Sequence, residues 1–163
     1  MKQKTKSKQW TNNRTEDSDY AFSRALRYLS LRSRSQKEIE EYLLRKQFSP
    51  PAISTAVQKL LELKFLNDEE YGKSVARSRQ VYKGRSRFLV SYELRQKGVA
   101  EETVSKVLSE SQEDLQTAKE FIERKKRVYS NLDDFEFKNK MIRLLSSRGF
   151  SYDIIKKAFE KEE

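Results

Sequence analysis

The stretch from Asn67 to Leu108, NDEEYGKSVARSRQVYKGRSRFLVSYELRQKGVAEETVSKVL, decides the fold. Its spacing predicts three short helices joined at two glycines. Asn67 and Glu70 stand three residues apart, as a capping box requires. Tyr71, Val75, Ser78 and Tyr82 follow at helical spacing and give the first helix a packing face. Gly84 ends it. The second helix carries Val90 and Leu94 on one face and stops at Gly98, the residue type that most readily adopts the left-handed backbone after a helix terminus. Glu101 and Glu102 suit the first turn of the third helix, whose core positions are Val104 and Leu108.

The chain repeats this stretch. A shift of 51 residues in either direction lands on the same pattern. Ile39, Leu43, Gln47, Phe48, Ile53 and Val57 correspond to Val90, Leu94, Gly98, Val99, Val104 and Leu108, and again to Met141, Leu145, Gly149, Phe150, Ile155 and Phe159. A basic residue precedes each turn: Lys46, Lys97 and Arg148. Gln47 is the departure, since a glycine is expected there and glutamine takes a left-handed backbone only at a cost. The reading is an all-α chain of three tandem three-helix repeats forming an elongated, curved helical array. No segment alternates with period two as a strand would.

Working outward, residues 1–18 form a basic tail with Lys2, Lys4, Lys6, Lys8 and Arg14 around Trp10. Repeat 1 spans 19–66, repeat 2 spans 67–112 and repeat 3 spans 113–163. Ser18 or Asp19 caps the first helix, which turns Phe22, Leu26 and Leu29 inward. Ser35 and Glu38 make a capping box, Ser49-Pro50 starts the next helix, and Ser151 caps the last one. Leu115, Ala118, Phe121 and Ile122 open a longer helix that runs into the basic cluster Arg124-Lys125-Lys126-Arg127.

Composition narrows the function. Charged residues make up 37% of the chain, hydrophobic residues 36%, and the net charge is +10, which suits an anionic partner. There is no histidine and no cysteine, so the usual general bases, thiol nucleophiles and most transition-metal ligands are missing. The acidic pairs Glu40-Glu41, Glu69-Glu70, Glu101-Glu102 and Asp133-Asp134 read as caps and solvated faces, and no phosphate-cradling glycine motif is present. The expectation is a binding protein with no catalytic residues, no metal and no cofactor. No apolar run approaches the ~20 residues of a membrane span, so a soluble cytoplasmic monomer is expected.

The positive charge is concentrated. Lys73, Arg77, Arg79, Lys83, Arg85, Arg87, Arg95 and Lys97 fall within 25 residues against Glu93 alone. Arginines dominate, which favours planar pairing with phosphate or carboxylate. This is the candidate binding face, with Arg124, Lys125, Lys126 and Arg127 as a secondary patch. Tyr82, Phe88 and Tyr92 interleave with the charges and can stack on bases, but the helical spacing of Phe88 and Tyr92 assigns them to core or inter-repeat packing. Charge alone leaves open a general nucleic-acid-binding helical repeat protein without a dedicated protein partner, or a scaffold that grips an acidic protein.

The middle repeat resembles the RecX family, the bacterial regulators of the RecA recombinase. The residues that carry the resemblance are Asn67-Asp68 before Tyr71, Arg79, Lys83-Gly84, Arg87-Phe88 and Glu93 through Val99. Arg32-Ser33, Ser35, Glu38 and Leu43 extend it into the first repeat, and it covers roughly Tyr20 to Glu160. Gln47 stands for the usual glycine, and Asn67 for a frequent acidic residue. The resemblance implies a curved helical repeat protein that binds the RecA–DNA filament in its groove and restrains it. It implies inhibition of the recombinase, ATPase and coprotease activities of RecA, with single- and double-stranded DNA bound through the basic face.

Overall fold

The computed structural model describes residues 16–160. The basic arm around Trp10 lies outside them. Among the described residues there are nine α-helices and no strand. The first repeat holds α1 (Ser18–Leu29), α2 (Gln36–Arg45) and α3 (Pro50–Glu62). The second holds α4 (Asp68–Arg77), which continues into a π-helical turn (Ser78–Tyr82), then α5 (Arg87–Gln96) and α6 (Glu101–Ser109). The third holds α7 (Asp114–Val128), α8 (Asp134–Ser146) and α9 (Tyr152–Phe159). The all-α architecture of three tandem three-helix repeats is the one expected from the 51-residue recurrence.

Local chemistry explains the helix starts. The Ser35 side chain accepts from the Glu38 N–H while the Glu38 carboxylate accepts from the Ser35 N–H, a complete capping box. Ser49 caps α3 with prolines at the first two helical positions, Ser151 caps α9, and Asn67 accepts from the N–H groups of Glu69 and Glu70. The first helix differs from expectation: Asp17, not Ser18 or Asp19, is its cap. Its carboxylate accepts from the Asp19 and Tyr20 N–H groups, and a carboxylate is also favoured by the positive end of the helix dipole.

The chain forms two compact units. The one that runs to Tyr71 also takes in Lys97–Val99 from the second repeat. Its core contains Ala21, Ala25, Ile39, Leu43, Phe48, Ile53, Val57 and Leu60, all buried. The other comprises Gly72–Gln96 and the chain from Ala100 onward. There Phe121, Ile122, Met141, Leu145, Phe150 and Ile155 form a cluster, and Val90, Leu94 and Val104 are fully buried.

One docking arrangement occurs within each unit. In the first, the buried Ser35 hydroxyl donates to the Lys97 carbonyl at 2.7 Å, and Asp68 accepts from the Gln36 N–H at 2.8 Å. In the second, the buried Ser86 N–H donates to the Arg148 carbonyl at 3.0 Å, and Asp114 accepts from the Arg87 N–H at 2.7 Å. In both cases the first acid of one repeat's opening helix caps the middle helix of the repeat before it. The turn glycine then abuts the start of that capped helix. A Cβ on Gly98 would lie 2.8 Å from Lys37 Cβ, and one on Gly149 would lie 2.6 Å from Ser86 Oγ. Gln47, the matching residue of the first repeat, also has a left-handed backbone (φ 64°) but is exposed. A side chain fits there because no preceding repeat crowds that turn among the described residues.

Asp114 gives this arrangement a pH signature. Burial pushes its carboxyl above the usual carboxylate range, the Arg87 N–H and charge pull it back, and Glu113 adds to the rise. A raised folded pKa means stability that is present below the unfolded value and lost as pH climbs through the folded one. Asp114→Asn keeps an acceptor for the Arg87 N–H but cannot ionise. Its melting temperature is therefore expected to gain on that of the wild type between about pH 4 and pH 7. Asp114→Ala removes the acceptor and is expected to cost about 1 kcal/mol at both pH values. Melting curves of Asp114→Asn and wild type that keep a constant gap across that range would contradict this account.

Candidate nucleic-acid interface

The eight cations between Lys73 and Lys97 do not form one open face. Glu93 and acids from elsewhere in the fold hold most of them. Lys73 Nζ is 2.9 Å from Glu110, and Arg95 is bidentate on Glu101 at 2.6 and 2.7 Å. Arg79 is bidentate on Glu93 at 2.5 and 2.8 Å, and Arg85 reaches the same carboxylate at 3.2 Å. Arg87 contacts Glu113 at 3.1 Å and donates to the Ser111 carbonyl at 2.6 Å, so it braces the fold. Lys97 lies 3.1 Å from Glu38, which also accepts from Arg32. Burial alone would raise the Glu38 carboxyl, but these donors and the Ser35 N–H outweigh it and hold it below the usual range. Only Arg77 and Lys83 have no carboxylate partner among the described residues.

Positive charge gathers at an open pocket of about 690 Å³. Tyr82, Lys83 and Arg85 line it from the end of the π-helical turn; Phe121, Arg124, Lys125 and Val128 from α7; and Ser147 and Arg148 from the turn after α8. Five of these residues are cationic and none is acidic. Neutral groups set their positions. Arg148 lies 4.5 Å over the Phe121 ring and donates to the Leu144 and Lys83 carbonyls. Arg124 donates to the Val81 carbonyl, and Lys125 Nζ is 5.5 Å from the centre of the Phe121 ring. Burial pulls the Arg148 guanidinium below its usual pKa; Tyr129 opposes that and Arg85 adds to it. It stays charged near neutrality all the same. A concave site with one sign of charge focuses the field on an incoming anion.

The π-helical turn builds one wall of this pocket. The Arg85 N–H bonds the Arg79 carbonyl at 3.0 Å, and the Gly84 N–H bonds the Gln80 carbonyl at 3.0 Å. Gln80 turns inward, 1% exposed, and its amide donates to the Gln112 carbonyl at 2.7 Å. That widened turn corrects the expected packing face: Tyr82 is 76% exposed. Gly84 has φ 59°, and a Cβ there would overlap the Phe121 ring. Phe88 and Tyr92, expected to pack, are also exposed at 66% and 57%, because α5 buries Val90, Ser91 and Leu94 instead. The secondary patch divides as successive helical residues must, about 100° apart. Arg124 and Lys125 enter the pocket, Lys126 pairs with Glu123, and Arg127 is exposed. Arg148 was not among the expected binding residues. Its position before a turn is visible in the sequence, whereas its neighbours in the pocket are far away along the chain.

Three family models match the chain in order. They are "RecX, first three-helix domain" at residues 21–60, the second such domain at 67–108 and the third at 112–159. The chain belongs to the RecX family. The regulatory protein RecX of Bacillus subtilis (strain 168) is 33% identical over 144 residues, covering 87% of this chain and 54% of that protein. RecX of Bacillus cytotoxicus is 34% identical over 152 residues, covering 91% and 56%. The chain thus spans about half the length of these RecX relatives. A crystal structure of RecX from Lactobacillus salivarius superposes with a TM-score of 0.72 at 26% identity, covering 87% of this chain and 94% of that one. A second RecX structure, 23% identical with a TM-score of 0.68, shares the fold over 85% of this chain and 70% of its own. Among the described residues no acidic cluster could hold a metal ion, and no helix is long and apolar enough to cross a membrane.

Proposed function

We propose that this chain regulates the RecA recombinase by binding the RecA–DNA filament, lowering its ATP hydrolysis, strand exchange and coprotease activity. The family supports the regulatory reading, and one observation supports the mode of contact. Five cations from the second and third repeats line one pocket that no carboxylate enters. Carbonyls and the Phe121 ring hold three of them in place, so little side-chain freedom is lost when a phosphate arrives. DNA phosphates bind there by charge, and the exposed Phe88 and Tyr92, one turn apart on α5, serve as anchors toward the protein. The chain acts as a cytoplasmic monomer, without a catalytic step of its own. It inhibits by binding one filament state more tightly than the others.

The test is co-sedimentation with RecA filaments assembled on single-stranded DNA, repeated with an excess of free DNA. A dedicated RecA partner stays with the filament in the presence of the competitor. A general nucleic-acid binder moves to the free DNA, and a scaffold for some other acidic protein never sediments with the filament.

A further inference from the structure

We infer that Tyr82 makes the basic pocket a single-strand site: its ring stacks on an unpaired base while the pocket cations hold the adjoining phosphates. This rests on the reading that the pocket takes nucleic-acid phosphates, and it assigns the residue that separates single strands from duplex. Two aromatic rings belong to the pocket, Tyr82 and Phe121. Phe121 is buried, with Arg148 4.5 Å and Lys125 5.5 Å from its ring centre, so its faces are taken. Tyr82 is 76% exposed and makes no ring or cation contact among the described residues. Its position is the product of local construction, since the π-helical turn buries Gln80 and carries Tyr82 outward beside Lys83. Such turns recur at functional sites.

The chemistry then distinguishes two forms of one ligand. In a duplex every base is already stacked on its neighbours, so a ring beside the backbone finds only phosphates. An unpaired base offers a free face, and stacking on it tolerates any sequence. Lys83 and Tyr82 are adjacent in the chain, as a phosphate and its base are adjacent in a strand. Lys83, Arg124 and Lys125 attract both forms; only Tyr82 rewards the single strand.

The experiment measures binding of the full chain to labelled oligo(dT) and to a duplex of equal length across a salt series. Tyr82→Ala, checked for an unchanged melting temperature, is expected to lose about tenfold or more of its oligo(dT) affinity. Its duplex affinity and the salt dependence of both are expected to stay as in the wild type, because every cation that meets a phosphate is still in place. Tyr82→Phe keeps the ring and is expected to keep the affinity, and Phe135→Ala, which removes an equally exposed ring outside the pocket, is expected to match the wild type. The inference is overturned if Tyr82→Ala leaves oligo(dT) binding intact, weakens both ligands equally, or is matched by Tyr82→Phe. It is also overturned if the wild type does not bind oligo(dT). Wild-type protein that binds oligo(dT) through Tyr82 yet ignores RecA filaments would support this inference and defeat the RecA reading.

Discussion

Replacing Lys83 and Lys125 with glutamate is expected to weaken DNA binding by about tenfold or more and to lower the salt slope by roughly two, about one for each lysine that no longer neutralises a phosphate. Neither lysine has a carboxylate partner among the described residues, so both charges are available to a ligand. Lys83 is exposed and Lys125 half-buried over Phe121, so the double variant should fold. Net charge alone also steers proteins toward DNA, and a control removes that ambiguity. Lys156→Glu with Lys157→Glu changes the net charge identically at exposed positions on α9 outside the pocket. That control is expected to retain most of the affinity and the full slope. Equal losses in the two double variants would show that the chain presents a diffuse positive surface. Arg87→Glu is a poor probe, since it would break the contacts to Glu113 and the Ser111 carbonyl that brace the fold.

Gly149→Val is expected to destabilise the chain by about 3 kcal/mol or more. Its backbone is left-handed at φ 83°, a conformation that costs a residue bearing a Cβ roughly 1–2 kcal/mol and a β-branched one more. The new side chain would also meet Ser86 Oγ at 2.6 Å and Leu89 Cγ at 2.7 Å, and forcing atoms into a filled space typically costs about 1–3 kcal/mol. Gln47→Gly asks the opposite question at the matching turn. It relieves the same backbone conformation where nothing crowds the side chain, so it is expected to leave stability unchanged or raise it by up to about 1 kcal/mol. Thermal unfolding of the two variants checks both. A Gly149→Val protein that melts with the wild type would mean that the turn of the third repeat does not pack against Ser86 and Leu89.

These turns were legible because their requirements are local and recur. Leu43, Leu94 and Leu145 are all fully buried, and the residues four positions later, Gln47, Gly98 and Gly149, all have positive φ. The period of 51 residues therefore located the architecture from side-chain type alone. Even the departure at Gln47 has a physical reason that the sequence could not show: its turn is exposed, whereas those of Gly98 and Gly149 abut Lys37 and Ser86.

The binding surface was legible only in part. Counting charges from Lys73 to Lys97 found the basic region, but four of the five acids that neutralise it, Glu38, Glu101, Glu110 and Glu113, lie outside that window. Chain spacing records composition and is blind to such pairings. The π-helical turn was hidden for a similar reason. One widened turn leaves no mark in composition, yet it shifts the helical phase enough to bury Gln80 and expose Tyr82. Arg148 looked like an ordinary charge at a helix end, and only folding brings it against Phe121 and next to Lys83.

The central claim is that this RecX-family chain restrains RecA through the acid-free pocket shared by its second and third repeats. Its most direct test is the rate of DNA-dependent ATP hydrolysis by RecA, titrated with the wild type and with the folded Lys83→Glu/Lys125→Glu variant. The account predicts that the wild type lowers the rate in proportion to the filament it occupies, while the variant leaves it close to that of RecA alone. A variant that inhibits as strongly as the wild type would contradict it.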